Sequence, residues 1–229
     1  MDRLEYDDEV YLNSVRGMKM NHMFYYCRNL SNLDASTWDT GRANTMYYMF
    51  AECNSLIHLD VTEWDTSRVR DMGGMFYQCN NLEELNLTKW DTHRVNNMEE
   101  MFSHCSSLIS LDLSNFDTDQ VTSMRDMFFM CEMLEILDLS NFNTSNVENM
   151  EDMFRGCYNL QYIIIDSLEY KLFMKSSDCG KLNSNCKILV PEVMLDTYRN
   201  DEYWSTISDQ FDILETYSIN RENGNVSVS

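Results

Sequence analysis

Proline and glycine are scarce in this sequence. One proline and seven glycines in 229 residues leave little material for flexible linkers. Basic side chains are also few, because 17 lysines and arginines stand against 38 acidic residues and give a formal net charge of -21. A surface of that charge repels the phosphate backbone of nucleic acids. We therefore expect no direct nucleic-acid binding.

Long apolar segments are missing as well. The longest strongly apolar run, Tyr162 to Ile165, is far shorter than the roughly 20 residues that cross a bilayer as a helix. The opening residues, Met1 to Glu5, carry neither the basic nor the apolar segment of a secretion signal. We expect no membrane insertion, and a cytoplasmic or virion-associated protein rather than a secreted one.

The abundant residue types follow a strict 26-residue repeat. The pair Met-Phe recurs six times at this spacing, from Met23-Phe24 to Met153-Phe154. Each pair is preceded by a methionine and followed by a cysteine three positions away, and then by two leucines or a leucine and an isoleucine. A tryptophan or phenylalanine followed by Asp-Thr or Asn-Thr closes five of the repeats. Such a period predicts an array in which each repeat packs against its neighbours.

Two different spacings occur within each repeat. Val69, Met72 and Phe76 recur at helical spacing, whereas Leu85 and Leu87 alternate with polar residues as in a half-buried strand. An aspartate stands just before the helical positions, where a helix N-cap is favoured. The sequence therefore predicts an α/β leucine-rich-repeat solenoid, with a parallel sheet on one side and short helices on the other.

The repeats divide the chain into four regions. Residues 20–166 form the six repeats, and residues 1–19 are predicted to be an N-terminal cap. The period is lost after Asp166, and residues 167–220 are predicted to form a C-terminal strand-helix-strand cap, because an open end would expose the core. Residues 221–229 carry no periodic pattern and are expected to be disordered.

The repeat motif M-F-x-x-C-x-x-L-x-x-L-D-L-S-x-F-D-T resembles the 26-residue repeats of BspA-like bacterial surface proteins, over residues 20–166. The segment that contains Pro191, Tyr198 and Trp204 is similar to one that often closes such arrays. Similar arrays occur in Mycoplasma-like bacteria, protists, phages and large DNA viruses. Where a function is assigned to them it is adhesion or protein binding. The resemblance implies no catalytic residues.

Eight cysteines raise the possibility of disulfides or a metal site. Six of them share one column of the repeat, where stacked side chains run parallel instead of converging as a disulfide requires. We expect these six to be buried thiols. Cys179 and Cys186 lie outside the column and are either paired or reduced. No cysteine or histidine spacing is typical of zinc.

A column of acidic residues could instead bind calcium. Its side chains would lie about one strand spacing apart, without the clustered oxygen ligands from one loop that calcium prefers. We interpret the column as a solvated acidic stripe. Its members are Asp34, Asp60, Asp112 and Asp138.

The fifth repeat departs most from the common pattern. It has large apolar residues where the other repeats mostly have polar ones, with aspartates of the acidic column as a charged rim. This patch is either a contact site for another protein or part of the core beneath the C-terminal cap. The candidate partner-binding residues are Phe129, Met130, Met133, Ile136, Asp112 and Asp138.

The four histidines occupy different repeat columns and have no evident nucleophile or base beside them. We therefore expect no enzyme, no catalytic residue, no cofactor and no metal. The sequence favours a protein-protein interaction or adhesion module whose partner is another protein. Two alternatives stay open: a structural or accessory component of a phage or large DNA virus particle, and an acidic mimic of nucleic acid.

Overall fold

The structure, a computed structural model, describes residues 19–166, 182–201, 204–220 and 225–228. Turns and loops make up most of these residues. The regular elements among them are one α-helix, two 3₁₀-helical segments and eight short strands. The helix is α1 (Glu192–Arg199), and the 3₁₀ segments are Ser205–Gln210 and Leu214–Thr216. The strands are β1 (Asn32–Leu33), β2 (His58–Leu59), β3 (Ile136–Asp138), β4 (Tyr162–Ile164), β5 (Lys187–Val190), β6 (Phe211–Ile213), β7 (Tyr217–Asn220) and β8 (Asn225–Val228).

The strands form three separate sheets. β1 and β2 are a parallel pair, and β3, β4, β5 and β6 form a parallel four-stranded sheet in that order. β7 and β8 pair antiparallel. In the third and fourth repeats, residues 82–87 and 108–113 belong to no helix, turn or strand of the described chain. Strand pairing is therefore interrupted between β2 and β3.

The predicted leucine-rich-repeat solenoid, with a continuous sheet and a helix in every repeat, is wrong. The described chain has two small parallel sheets in place of one long sheet. Its one α-helix, α1, follows the repeats and does not lie within them. The Met-Phe segments, which were predicted to be helical, are successions of tight turns.

The backbone conformation explains why these segments are not α-helices. The described Met-Phe turns hold residues in the left-handed region, among them Glu100 (φ 57°) and His104 (φ 60°), and a left-handed residue ends an α-helix. The Glu100 N–H donates to the carbonyl of Arg125 at 2.8 Å, and the His104 N–H donates to that of Phe129 at 2.7 Å. Alternate amides therefore bond to the next repeat, where an α-helix would bond to the residue four positions earlier.

The repeats nevertheless lie against one another in constant register. Single-residue parallel bridges connect neighbouring repeats at 26-residue intervals. They join Lys19 to Thr45, Thr45 to Asp71, Asp71 to Asn97, Asn97 to Ser123, and Ser123 to Asn149. Equivalent residues of successive repeats therefore form columns.

The phenylalanine column runs through the core. Its neighbouring rings are nearly parallel, with centroids 5.4 to 6.1 Å apart. Five of the six rings are almost fully buried. Burial of side chains of this size provides much of the apolar stabilisation of the repeats. The column consists of Phe24, Phe50, Phe76, Phe102, Phe128 and Phe154.

A buried threonine column adds hydrogen bonds between repeats. The hydroxyl of Thr92, 1% exposed, donates to the carbonyl of Asp117 at 2.8 Å and accepts the N–H of Asp117 at 2.8 Å. Thr66 and Thr118 make the same pair of bonds to the repeats that follow them. Each hydroxyl thus satisfies both backbone polar groups of one residue in the next repeat.

A change of residue type in one column is compensated by its neighbour. The indole N–H of Trp90 donates to the carbonyl of Val61 at 3.0 Å. In the next repeat Phe116 has no such donor, and the amide of Asn115 bonds to the carbonyl of Leu87 at 3.0 Å instead. The dipeptide Asn-Phe therefore satisfies the same carbonyl column as tryptophan.

The expected burial of the repeat cysteines is confirmed for five of the six, and Cys27 in the first repeat is partly buried. The Cys105 thiol donates to the carbonyl of Phe76 at 3.2 Å. Of the two cysteines outside the column, Cys186 is a free thiol that is fully buried next to β5, and Cys179 lies outside the described residues.

Thiol labelling of the native protein should follow this burial. Burial raises the pKa of the Cys105 thiol well above its usual value and that of Cys53 to about 12, so the reactive thiolate is disfavoured. Mass spectrometry after a short exposure to a maleimide should find Cys27 modified first among the described cysteines. Labelling of Cys79 or Cys105 at the rate of a free thiol would contradict the burial of the column.

The described part of the C-terminal region continues the second sheet. α1 connects β5 to β6, and the ring of Tyr198 stacks on Phe211 with centroids 5.3 Å apart. Trp204 meets the same ring edge-on at 5.5 Å. The sequence predicts disorder after residue 220, whereas β8 pairs with β7 over four residues. Most of the predicted N-terminal cap, residues 1–18, lies outside the described residues.

Candidate functional site

A continuous row of rings follows the turn side of the first five repeats. Neighbouring centroids lie 5.1 to 6.4 Å apart along the whole row, mostly in edge-to-face or tilted contacts. Aromatic pairs at such distances stabilise each other beyond their buried area. We call this row the aromatic belt. It consists of Tyr25, Tyr26, Tyr48, Tyr77, His104 and Phe129.

A glycine lets the belt cross the third repeat. A Cβ on Gly74 would lie 2.7 Å from ring carbons of Tyr48, so only glycine leaves room for this ring. The Tyr48 hydroxyl thereby reaches across one repeat and donates to the carboxylate of Glu100. Burial and this carboxylate raise the pKa of Tyr48, which keeps the hydroxyl protonated as a donor.

The two ends of this surface are the most exposed. Tyr25 and Tyr26 are 44% and 52% exposed, and Tyr158 beyond Phe129 is 61% exposed. The Tyr158 hydroxyl lies 4.0 Å from the sulfur of Met130, which connects it to the fifth repeat. Exposed tyrosines next to each other are typical of protein contact surfaces.

Carboxylates flank the belt around one arginine. Arg125 Nη1 lies 3.0 Å from Glu99 Oε1 and 3.7 Å from Glu100 Oε1. Its Nη2 lies 2.9 Å from Asp126 Oδ2, and its Nε lies 3.7 Å from Glu151 Oε2. One guanidinium thus neutralises only part of the charge of four carboxylates.

Asp126 is 8% exposed, and burial raises its pKa to about 6. Arg125 lowers this pKa, while the charges of Glu100, Asp152 and Glu151 raise it. A carboxylate with a raised pKa favours the folded state when protonated. It loses that contribution as the pH rises from its usual pKa of 3.8 to about 6.

The variant Asp126→Asn should therefore gain stability over the natural protein as the pH rises. We expect the difference in unfolding free energy between them to grow by on the order of 1 kcal/mol between about pH 4 and pH 7. Urea denaturation at several pH values measures it. A difference that is constant over this range would show that Asp126 titrates normally.

Two arginines of the chain already lie against the belt. The guanidinium carbon of Arg28 lies 4.0 Å from the centre of the Tyr26 ring, and its Nη2 is 2.6 Å from Glu52 Oε2. The guanidinium carbon of Arg155 lies 5.7 Å from the centre of the Phe129 ring, and its Nη1 is 3.0 Å from Asp152 Oδ2. Each guanidinium is held by one ring and one carboxylate.

The structure places two of the sequence-predicted site residues on this turn surface. Phe129 is half-buried at the end of the belt, and Met130 packs over Gly156, where a Cβ would lie 2.3 Å from its sulfur. Met133 follows the turn, is 45% exposed, and accepts a contact from the Asn159 amide at 3.3 Å. These three residues lie consecutively from the belt toward the sixth repeat.

The other predicted residues lie on different elements. Ile136 and Asp138 are half-buried on β3, where Ile136 is paired with Tyr162. Asp112 and Asp138 accept the N–H of Ser114 at 2.9 Å and of Ser140 at 3.1 Å, so each carboxylate stabilises its own turn. The predicted charged rim is thus on the strand side, whereas the carboxylates next to the belt are those around Arg125.

Tyr48 and Tyr158 are not among the site residues predicted from the sequence. They occupy different columns, and neither column is aromatic in every repeat. The pairing of Tyr48 with a glycine 26 residues later was the available indication, because a large ring next to a missing side chain in a stacked array predicts that the ring crosses it.

A groove of about 570 Å³ lies on the strand side of the second to fourth repeats, where strand pairing is interrupted. Leu59 and Leu85 contribute apolar surface to it, and the rest of its lining is polar or acidic. The polar and acidic lining residues are His58, Asp60, Thr62, Glu84, Asn86, Thr88, Ser110 and Asp112.

No group of three histidine, cysteine, aspartate or glutamate side chains in the described ranges is placed to hold a metal ion. Within the same ranges, no helix has both the length and the apolar character to cross a membrane.

Comparison with known protein families identifies a match over the repeats. A family model described as "Mycoplasma protein of unknown function, DUF285" matches residues 11–107 and residues 75–169, which together exceed half of the chain. No curated protein matches the chain. The match confirms the repeat character of the chain, while the narrower resemblance to BspA-like surface proteins stays a prediction.

Proposed function

Since the chain belongs to the DUF285 family of Mycoplasma proteins of unknown function, we propose its role from its own surface: a non-catalytic module that binds another protein through the aromatic belt. The observation that carries this proposal is the unbroken row of ring contacts across five repeats, with exposed tyrosines at its end.

The belt has the composition of a protein interface. Tyrosine offers a large contact area at a low cost in side-chain entropy, and protein interfaces combine aromatic anchors with a polar rim. Tyr25 and Tyr26 provide exposed anchors, and Glu99 and Glu100 belong to the rim. The ring contacts hold the anchors in place before a partner arrives, which reduces the cost of binding.

The titratable groups on the belt are occupied by structural contacts, which favours binding over catalysis. The ring of His104 contacts both Tyr77 and Phe129 edge-on, and burial lowers its pKa. Asp126 also has a shifted pKa, as catalytic groups often do, but its carboxylate is paired with Arg125. The resemblance to BspA-like proteins favours adhesion as the biological setting of this binding.

Site-specific photo-crosslinking in cells that make the protein tests the proposal. Benzoylphenylalanine replaces Tyr25 in one variant and Tyr158 in a second, and in a control it replaces Ile109. Ile109 is 48% exposed in the strand-side segment of the fourth repeat. We expect the variants at Tyr25, in the belt, and at Tyr158, beyond its other end, to form an adduct with the same protein and the control to form none. The absence of an adduct from either of these two positions, or an equal adduct from Ile109, would contradict the proposal.

A further inference from the structure

We infer that the belt binds an arginine-rich extended segment of its partner, with guanidinium groups seated between rings and carboxylates. This inference rests on the proposed function and names the chemistry of the partner.

The chain itself contains two such binding positions, each with a guanidinium held between a ring and a carboxylate. We call these positions arginine seats. Arg28 is held between the Tyr26 ring and Glu52, although its side chain remains 52% exposed. Arg155 is held between the Phe129 ring and Asp152, with its side chain 60% exposed. An exposed arginine gains little from a surface ion pair alone, and a ring beneath its guanidinium adds a cation–π contact. The belt is therefore a surface on which arginine is favoured.

The region between these two seats carries excess negative charge. Arg125 is shared among Glu99, Glu100, Asp126 and Glu151, as described above. His104 lies between the two seats, and Glu100 and Glu132 are close enough to raise its pKa against the effect of burial. Added guanidinium groups would neutralise these carboxylates. The charge of the belt is thus complementary to a cationic partner.

The spacing of the rings suits an extended peptide. Alternate residues of a strand point to the same side at intervals of about 6.6 to 6.8 Å. Neighbouring rings of the belt lie 5.1 to 6.4 Å apart. A segment with arginine at alternate positions would follow the belt with one side chain for about each ring.

Arginine fits this surface better than lysine does. A guanidinium is planar, stacks on rings and bonds to a carboxylate with two N–H groups at once, whereas an ammonium is a strongly hydrated point charge. Charge alone would attract both residues equally. The preference for arginine over lysine therefore separates a seat made of rings from a surface that is merely acidic.

Two labelled peptides, alternating Arg-Ser and alternating Lys-Ser over eight residues, test the inference by fluorescence anisotropy at equal salt concentration. We expect the arginine peptide to bind roughly two- to fivefold more tightly than the lysine peptide. Substituting two rings of the belt, Tyr25→Ser and Tyr77→Ser, should remove most of this preference. The control Ile109→Ser should leave it unchanged.

A second comparison asks whether the internal arginine occupies a seat. Arg28→Ala vacates the seat between Tyr26 and Glu52. The affinity of the protein for the arginine peptide should therefore rise about two- to fivefold. Arg94→Ala removes the same charge from an exposed arginine that contacts His93, away from the belt. It should change binding of both peptides only slightly.

Equal affinity for the two peptides, or equal effects of Arg28→Ala and Arg94→Ala, would overturn the inference. Either result would leave the proposed function intact if crosslinking at Tyr25 and Tyr158 still captured one protein. Failure of the crosslinking would contradict the proposed function itself, whatever the peptides show.

Discussion

Replacing Phe102 with alanine is expected to lower the free energy of unfolding by about 3 to 5 kcal/mol. Phe102 is fully buried in the middle of the phenylalanine column, with its ring centroid 5.8 Å from those of Phe76 and Phe128. Alanine would leave a cavity bounded by two rings that are each fixed by a further neighbour. Local collapse can therefore fill little of it.

Reversible urea denaturation followed by tyrosine and tryptophan fluorescence measures this loss. Ile109→Ala is the control, because truncation of a side chain that is 48% exposed should change stability by no more than about 0.5 kcal/mol. A loss below about 1 kcal/mol for Phe102→Ala would mean that the column is not the core of the repeats.

The second large effect is expected at Thr92. Valine has nearly the same shape as threonine, so Thr92→Val keeps the packing and removes the hydroxyl that bonds to the N–H and the carbonyl of Asp117. Each buried polar group left without a partner costs about 1 to 3 kcal/mol, and we expect a total loss of roughly 3 kcal/mol.

Thr92→Ser separates the hydrogen bonds from the packing. Serine keeps the hydroxyl and loses one methyl group, which should cost about 1 kcal/mol in the same denaturation experiment. If the serine variant is as unstable as the valine variant, the methyl group of Thr92 matters and its hydrogen bonds do not.

The sequence identifies which residues share a column but not the backbone that connects them. The 26-residue spacing predicts that Cys105 and its equivalents lie one above another and are buried, and five of the six are. The sequence also shows the change from tryptophan at position 90 to Asn-Phe at positions 115–116. Only the contacts show that Asn115 replaces the indole as donor to the same carbonyl column.

The helices were predicted wrongly because the spacing of apolar residues does not distinguish an α-helix from a succession of tight turns. Met98, Met101 and Cys105 face one side of an α-helix, and they also face one side of successive turns that bond back three residues. The left-handed positions that separate the two backbones are usually marked by glycine. Here they are occupied by residues such as Glu100 and His104, so this indication was missing. Hydrogen bonds to the next repeat offset their strain.

The binding surface was predictable only in part, for a related reason. Phe129 and Met130 stood out because they differ from the equivalent residues of other repeats, and both lie on the turn side. The belt, however, is formed by residues of several columns that meet across repeats. The contact between Tyr48 and Glu100, separated by two repeats in sequence, depends on Gly74 and on the left-handed turns.

The turns that bond each repeat to the next are the basis of this account, and hydrogen-bond scalar couplings measured by NMR test them most directly. In deuterated protein the amide nitrogen of Glu100 should show a coupling through its hydrogen bond to the carbonyl carbon of Arg125, and that of His104 to Phe129. A coupling from Glu100 to the carbonyl of Asn96, four residues earlier, would instead show an α-helix and contradict both the fold and the belt built on it.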